Sequence, residues 1–163
     1  MTAKKICMLG SFSVGKTSLV ERYVRSIFSD QYLSTVGVKI SKKELTAKGQ
    51  NVSLVLWDME GKDDYSNINL SYLRGAMGLF LVADGLRRET LDEAYTLQTV
   101  VATLVGDIPR ILLINKFDLA EQWEVTNDDI ARLEGQRFTI MKTSAKTGYG
   151  VDEAFLALAE AML

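Results

Sequence analysis

The chain of 163 residues has no histidine, one cysteine and one proline. Without imidazole, zinc sites built on His and catalytic triads with a His base are excluded. Cys7 alone cannot form a disulfide framework, which points to a reducing compartment. With Pro109 as the lone proline and no Gly/Ser-rich linker, the chain shows no domain boundary and no internal repeat. No apolar stretch approaches the roughly 20 residues of a membrane-spanning helix, and the first residues lack the apolar core of a signal peptide. No cysteine stands near Leu163 to carry a lipid. The expectation is a soluble, cytoplasmic protein, or one from which a targeting tail has been removed. An excess of charge of one sign is missing too: a net charge of −2 and a pI near 5.3 give no electrostatic footprint for nucleic acid or anionic lipid. What remains is ordinary for a globular protein, 47% hydrophobic and 25% charged. The length is one domain's worth and buries about two-thirds of the unfolded surface.

Apolar runs at Ile6–Leu9, Val52–Trp57, Leu79–Ala83, Ile111–Ile114 and Phe138–Met141 predict buried strands, as in a sheet covered on both faces. The stretch Val36-Gly37-Val38-Lys39-Ile40-Ser41 alternates and leads through Lys48-Gly49-Gln50-Asn51 into the next run. That is a hairpin signature and makes one edge strand antiparallel. Helical periodicity covers Lys16–Ser26, Tyr65–Arg74, Glu89–Val105, Thr126–Leu133 and Val151–Met162. Strands alternating with helices predict an α/β fold, a doubly wound, mostly parallel six-stranded sheet with one antiparallel edge strand. Ligands of such sheets gather at the carboxyl ends of the strands.

The first of those ends carries Gly10-Ser11-Phe12-Ser13-Val14-Gly15-Lys16-Thr17, which spells G-x-x-x-x-G-K-[ST]. It sits between an apolar run and a helix with Leu19, Val20, Tyr23 and Val24 on one face. In that context the backbone N–H groups line a concavity for phosphate, and the helix N-terminus adds positive partial charge. Ser13, Val14, Gly15, Lys16, Thr17 and Ser18 are therefore candidate phosphate contacts. The Lys16 ammonium can reach terminal phosphates and the Thr17 hydroxyl can ligate Mg²⁺. The bland alternative is a glycine-rich turn, although such a string arises by chance in roughly one chain of this length in a few hundred.

Three weaker motifs close later strands. In Trp57-Asp58-Met59-Glu60-Gly61, Asp58 can hold the hydration shell of Mg²⁺ and the Gly61 N–H can approach a γ-phosphate. Taken alone, D-x-x-G fits a solvated turn equally well. Asn115-Lys116-Phe117-Asp118 offers a carboxylate that accepts from guanine N1 and its 2-amino group, an edge that adenine lacks. In Thr143-Ser144-Ala145-Lys146, a backbone N–H can bind guanine O6 while the Lys146 stem covers the ring. Either segment alone is compatible with an ordinary loop after a strand.

In this order, each at the carboxyl end of a predicted strand, the four motifs resemble the Ras superfamily of small GTPases over essentially the whole chain. The resemblance implies one G domain over residues 1–163. Tyr72-Leu73-Arg74-Gly75-Ala76-Met77-Gly78, Thr143-Ser144-Ala145-Lys146-Thr147-Gly148 and Thr35-Val36-Gly37-Val38 look Rab-like. The resemblance further implies GTP/GDP and Mg²⁺ as ligands, with Thr17, Asp58 and, only when γ-phosphate is present, Thr35 at the metal. It implies Phe28 edge-on against guanine and Tyr32 over the phosphates, although both also fit plain surface-loop aromatics. Effectors reading the segments around Thr35 and Gly61, an exchange factor and an activating protein are the implied partners, with no nucleic acid among them. An ATP-using P-loop kinase is the reading that Asn115 to Asp118 argues against.

Departures from the family pattern concern catalysis, for which Lys16, Gly61 and Lys62 are the candidates. Lys62 stands where the family carries the Gln that orients water. An ammonium only donates, so it cannot hold water as an amide oxygen would, though it can place positive charge on a transferring phosphoryl group. Glu60 adds a carboxylate where Ala or Gly is common. Phe12 replaces a small residue of the phosphate loop and would overhang the γ-phosphate. No Arg between Asp30 and Ile40 supplies a finger in cis. The expectation is a GTP/GDP switch with slow or unconventional hydrolysis. The alternative is a GTP-bound scaffold that does not hydrolyse.

Overall fold

The computed structural model describes residues 2–25, 38–59, 70–136 and 138–163. Its elements are β1 (Thr2–Gly10), α1 (Lys16–Arg25), β2 (Val38–Ala47), β3 (Gln50–Met59), β4 (Gly78–Asp84), α2 (Arg88–Val105), β5 (Arg110–Asn115), α3 (Asn127–Glu134), β6 (Thr139–Lys142) and α4 (Val151–Ala161). The strands form one six-stranded sheet in the order β2-β3-β1-β4-β5-β6. All pairings are parallel except that of β2 with β3, which matches the predicted architecture. The β2–β3 hairpin turns at Lys48 and Gly49, whose φ angles of 49° and 74° are those of a type I′ turn between the paired Ala47 and Gln50.

Two-residue alternation divides the core. Ile6, Met8, Phe80 and Val82 face a cluster with Leu19 and Tyr23 of α1 and Phe155 and Leu158 of α4. Cys7, Leu9, Leu79 and Leu81 face the opposite layer, with Leu91, Ala94 and Leu97 of α2 and Leu133 of α3. Every residue of β4 is buried, as a central strand covered by helices on both faces requires. On the first face Tyr23 stacks on Phe155 with ring centroids 3.9 Å apart, and Phe80 meets the same ring edge-on at 4.8 Å.

Boundaries moved by one or two residues at most elements. The last strand runs Thr139–Lys142 rather than from Phe138. Of the helix expected over Tyr65–Arg74, only the end lies among the described residues, and there Leu70–Leu73 is a 3₁₀ turn. The chain then leaves through Gly75 at φ 79°, a left-handed conformation that ends helical winding. A second 3₁₀ turn, Phe117–Gln122, was not foreseen. Among the described residues no helix is long and apolar enough to cross a membrane.

Candidate functional site

The carboxyl ends of β1, β3, β4, β5 and β6 lie on one side of the sheet and carry the candidate residues. β1 ends in Gly10, where an added Cβ would sit 2.4 Å from the Val82 carbonyl of the neighbouring strand. The loop then reaches α1 through Ser13 and Gly15, both at positive φ, 62° and 103°. A Cβ on Gly15 would lie 2.2 Å from Asn115 Nδ2, so loop and β5 touch through the missing side chain.

Carbonyls of this loop are held by side chains of three residues. The buried Lys16 ammonium donates to Gly10 O at 2.7 Å and to Ser11 O at 3.0 Å. Lys116 Nζ donates to Ser13 O at 3.3 Å and Asn115 Nδ2 to Val14 O at 3.0 Å. Among the described residues no peptide is cis, and in a planar trans peptide the N–H points opposite to the carbonyl before it. Anchoring the carbonyls of Ser13 and Val14 therefore turns the N–H groups of Val14 and Gly15 to the other, open side. The alternation of conformations makes a nest for an anion, ahead of the α1 N-terminus. Val14 takes part through its backbone alone, its side chain being fully buried. Phe12 stands at the loop's tip with its residue 59% exposed.

At one side of the nest the Thr17 hydroxyl donates to Asp58 Oδ2, and Asp58 is buried at the end of β3. Two hard oxygen donors in contact fit a small divalent cation of the Mg²⁺ type. Among the described residues no group of three or more His, Cys, Asp or Glu forms a metal cluster. That is compatible with an ion that takes its remaining ligands from phosphate and water.

On the other side a cleft of about 420 Å³ opens, lined by Ser13 and Gly15 of the loop, Ser18 of α1, Asn115 at the end of β5, Lys116 and Asp118 after it, and Ala145 and Lys146 after β6. Asn115 ties the three segments together, since its Oδ1 accepts from Thr143 Oγ1 and Ala145 N, each at 3.2 Å. The Ala145 N–H is thus already engaged inside the protein. Ser144, fully buried behind the cleft, donates its hydroxyl to Asp118 Oδ1 at 2.8 Å and holds that carboxylate in place. Lys116 adopts a left-handed φ of 73°, with its carbonyl accepting from Trp123 Nε1 at 2.8 Å. Arg22 of α1 braces the third segment by donating to the carbonyls of Ala145 and Lys146.

Leu86 and Leu119 also line the cleft and were not foreseen, nor was Asp84. Asp84 is buried at the end of β4 and accepts from Lys116 Nζ at 2.8 Å. Its place at a strand's carboxyl end was the only available signal. Phe28, Tyr32, Thr35, Glu60, Gly61 and Lys62 lie outside the described residues.

With this geometry in place, the likeness to known proteins is informative. The Ras family model matches residues 5–163. Ras-related protein Rab-4 of Dictyostelium discoideum is 38% identical over 154 residues, covering 93% of this chain and 75% of the relative. Ras-related protein Rab-13 of Rattus norvegicus is 31% identical over 161 residues, 98% of this chain and 79% of the relative. Ras-related protein Rab-12 of Homo sapiens is 32% identical over 164 residues, 98% of this chain and 66% of the relative.

Proposed function

The chain belongs to the Ras family, and from that premise we propose that residues 1–163 form one G domain acting as a Rab-like GTP/GDP switch with slow hydrolysis. Guanine-nucleotide and Mg²⁺ binding, GTPase activity and dealings with effectors, exchange factors and activating proteins belong to the family in general. The observation that carries the reading for this chain is one cleft lined by both the glycine-rich loop and Asp118, with Asn115 bonded to the loop at Val14 O and to the segment after β6 at Ala145 N.

In this reading the N–H groups from Ser13 to Ser18 hold phosphate oxygens. Lys16 exchanges its loop carbonyls for the terminal phosphates. Thr17 and Asp58, joined by Thr35 in the triphosphate state, hold Mg²⁺. That ion, when bound, neutralises charge on the phosphates. Asp118, oriented by Ser144, accepts from the guanine edge, with Lys146 over the ring and Phe28 at its side. Thr35 and Gly61 respond to γ-phosphate and present the surface that partners read, in a cytoplasmic setting.

Hydrolysis is slow because Lys62 can donate to the transferring group but cannot accept a hydrogen bond from attacking water. The exposed Phe12 favours a second reading, a GTP-bound scaffold, because a phenyl ring at the loop's tip crowds any catalytic group brought by a partner. Identifying the nucleotide released on denaturing the purified protein tests the ligand. Single-turnover hydrolysis tests the chemistry: the switch turns over at or below about 10⁻⁴ s⁻¹ and Lys62→Gln raises that rate. A fast wild-type rate that falls in Lys62→Gln establishes a lysine-based mechanism instead, and no turnover in either protein establishes the scaffold.

A further inference from the structure

One carbonyl of the phosphate loop is held by a residue that no sequence motif contains. Arg87 Nη2, in the connection from β4 to α2, donates to Phe12 O at 2.9 Å. Its Nε simultaneously donates to Asp84 Oδ2 at 3.1 Å, the same oxygen that takes the Lys116 ammonium at 2.8 Å. Asp84 is itself immobilised: its Oδ1 accepts from Leu86 N at 2.9 Å, and its own N–H donates to the buried Thr90 hydroxyl at 2.8 Å. The Arg87 side chain is 38% exposed, so its two bonds rather than its packing define its place. One loop residue earlier, the Ser11 hydroxyl donates to Glu93 of α2.

We propose that Arg87 is a positioning residue of the phosphate cradle, aiming the Ser13 N–H at the distal phosphates through the Phe12 carbonyl. The physical step is peptide planarity: fixing the Phe12 carbonyl on the guanidinium side fixes the Ser13 N–H on the opposite side. With Lys116 on Ser13 O and Asn115 on Val14 O, three consecutive peptides are oriented by side chains. The planar Arg fork holds its two acceptors in a fixed geometry from separate nitrogens, whereas an ammonium reaches acceptors from a single nitrogen on a flexible stem. Ser13 belongs to the distal end because the Lys16 ammonium, the group suited to terminal phosphates, lies on the neighbouring carbonyls of Gly10 and Ser11. Asp84 makes the device a bridge, since one buried carboxylate orients both Arg87 and Lys116 and so links the loop to the segment that lines the base cleft. This inference rests on guanine-nucleotide binding as proposed above.

The test measures GDP and GMP affinities of the full chain by displacement of a fluorescent GDP, and reads their ratio. Arg87→Ala lowers the preference for GDP over GMP about tenfold while leaving GMP affinity within about twofold, the size expected of one charge-assisted hydrogen bond. Arg87→Lys recovers part of the preference. Arg88→Ala removes an equal charge from the next residue, which donates to the Asp129 carboxylate and the Glu124 carbonyl, and leaves the ratio unchanged. A ratio in Arg87→Ala within twofold of wild type overturns the proposal, as does an equal loss for both nucleotides, which marks a general structural role. If the wild type prefers GDP strongly over GMP, those outcomes leave guanine-nucleotide binding standing. If the wild type binds neither nucleotide, that reading falls and the inference with it.

Discussion

In the proposed function, base selectivity rests on one side chain, Asp118. Its carboxylate is held by Ser144 Oγ at 2.8 Å at the mouth of the cleft, where a guanine edge would bring two N–H donors. Asp118→Asn replaces one acceptor oxygen by a donor, so guanine binding falls by about 1.5–3 kcal/mol and preference moves toward xanthine, whose 2-oxo group accepts. Competition of GDP and XDP for the variant checks this, and unchanged GDP affinity would remove Asp118 from base recognition. Tyr23 offers a second measurement at this scale. Burial, with Asp152 adding to it, pushes its phenol from 10.0 up to about 12. An acid whose pKa is raised by folding ionises first in the unfolded chain, so the stability it protects is intact below pH 10 and is lost as pH climbs toward 12. Urea unfolding at pH 8 and pH 11 should show a loss of about 1–1.5 kcal/mol in the wild type beyond that of Tyr23→Phe. Equal losses in both proteins would show that other groups govern the alkaline limb.

At the scale of elements, α3 owes its start to a reciprocal cap. Thr126 Oγ1 accepts from Asp129 N at 3.1 Å, and the Asp129 carboxylate accepts from Thr126 N at 2.8 Å. The Thr126 backbone bond is the main reason the Asp129 carboxyl sits below its ordinary range, with Arg88 helping. A carboxyl depressed by folding leaves the unfolded chain to take up the proton first. Its contribution is therefore present above about pH 4 and lost as pH falls further. Thr126→Ala removes one half of the cap and should cost about 1 kcal/mol in chemical denaturation at neutral pH, with the difference from wild type narrowing in acid. A cost that does not change between pH 7 and pH 3 would dissociate the cap from the carboxylate. The Lys48-Gly49 turn was legible in the sequence, because it depends on adjacent residues alone. The 3₁₀ turn at Phe117–Gln122 was not, since it carries both the edge contact of Phe117 with Trp123 and the stack of Phe117 on Tyr149, a residue from a separate segment.

Across the whole molecule, the cleft joins segments that each belong to a different strand end, so a ligand filling it links β1, β5 and β6 in the folded state alone. GDP at a hundredfold excess over its dissociation constant should add about 2.7 kcal/mol to stability, read as a rise in the thermal midpoint. Asp118→Asn should show a smaller rise at the same GDP concentration. A midpoint that GDP leaves unmoved in the wild type would refute binding at this cleft. The order of the residues was enough to reveal the glycine-rich loop between β1 and α1, the strand ends carrying Asp58, Asn115–Asp118 and Thr143–Lys146, and the alternation of strands and helices. Each of these is a pattern of short spacing, governed by local backbone sterics and by which faces are apolar. The partners of those motifs were a different matter. That Arg87 reaches Phe12, that Asp84 takes Lys116, and that Arg22 braces Ala145 depend on contacts 75, 32 and 123 residues apart. The first two exist because β4 lies between β1 and β5 with Gly10 opposite Val82 and Asp84 opposite Asn115. Strand order and register are settled by burying both faces of the sheet at once, a cooperative outcome of the entire chain that no local spacing encodes.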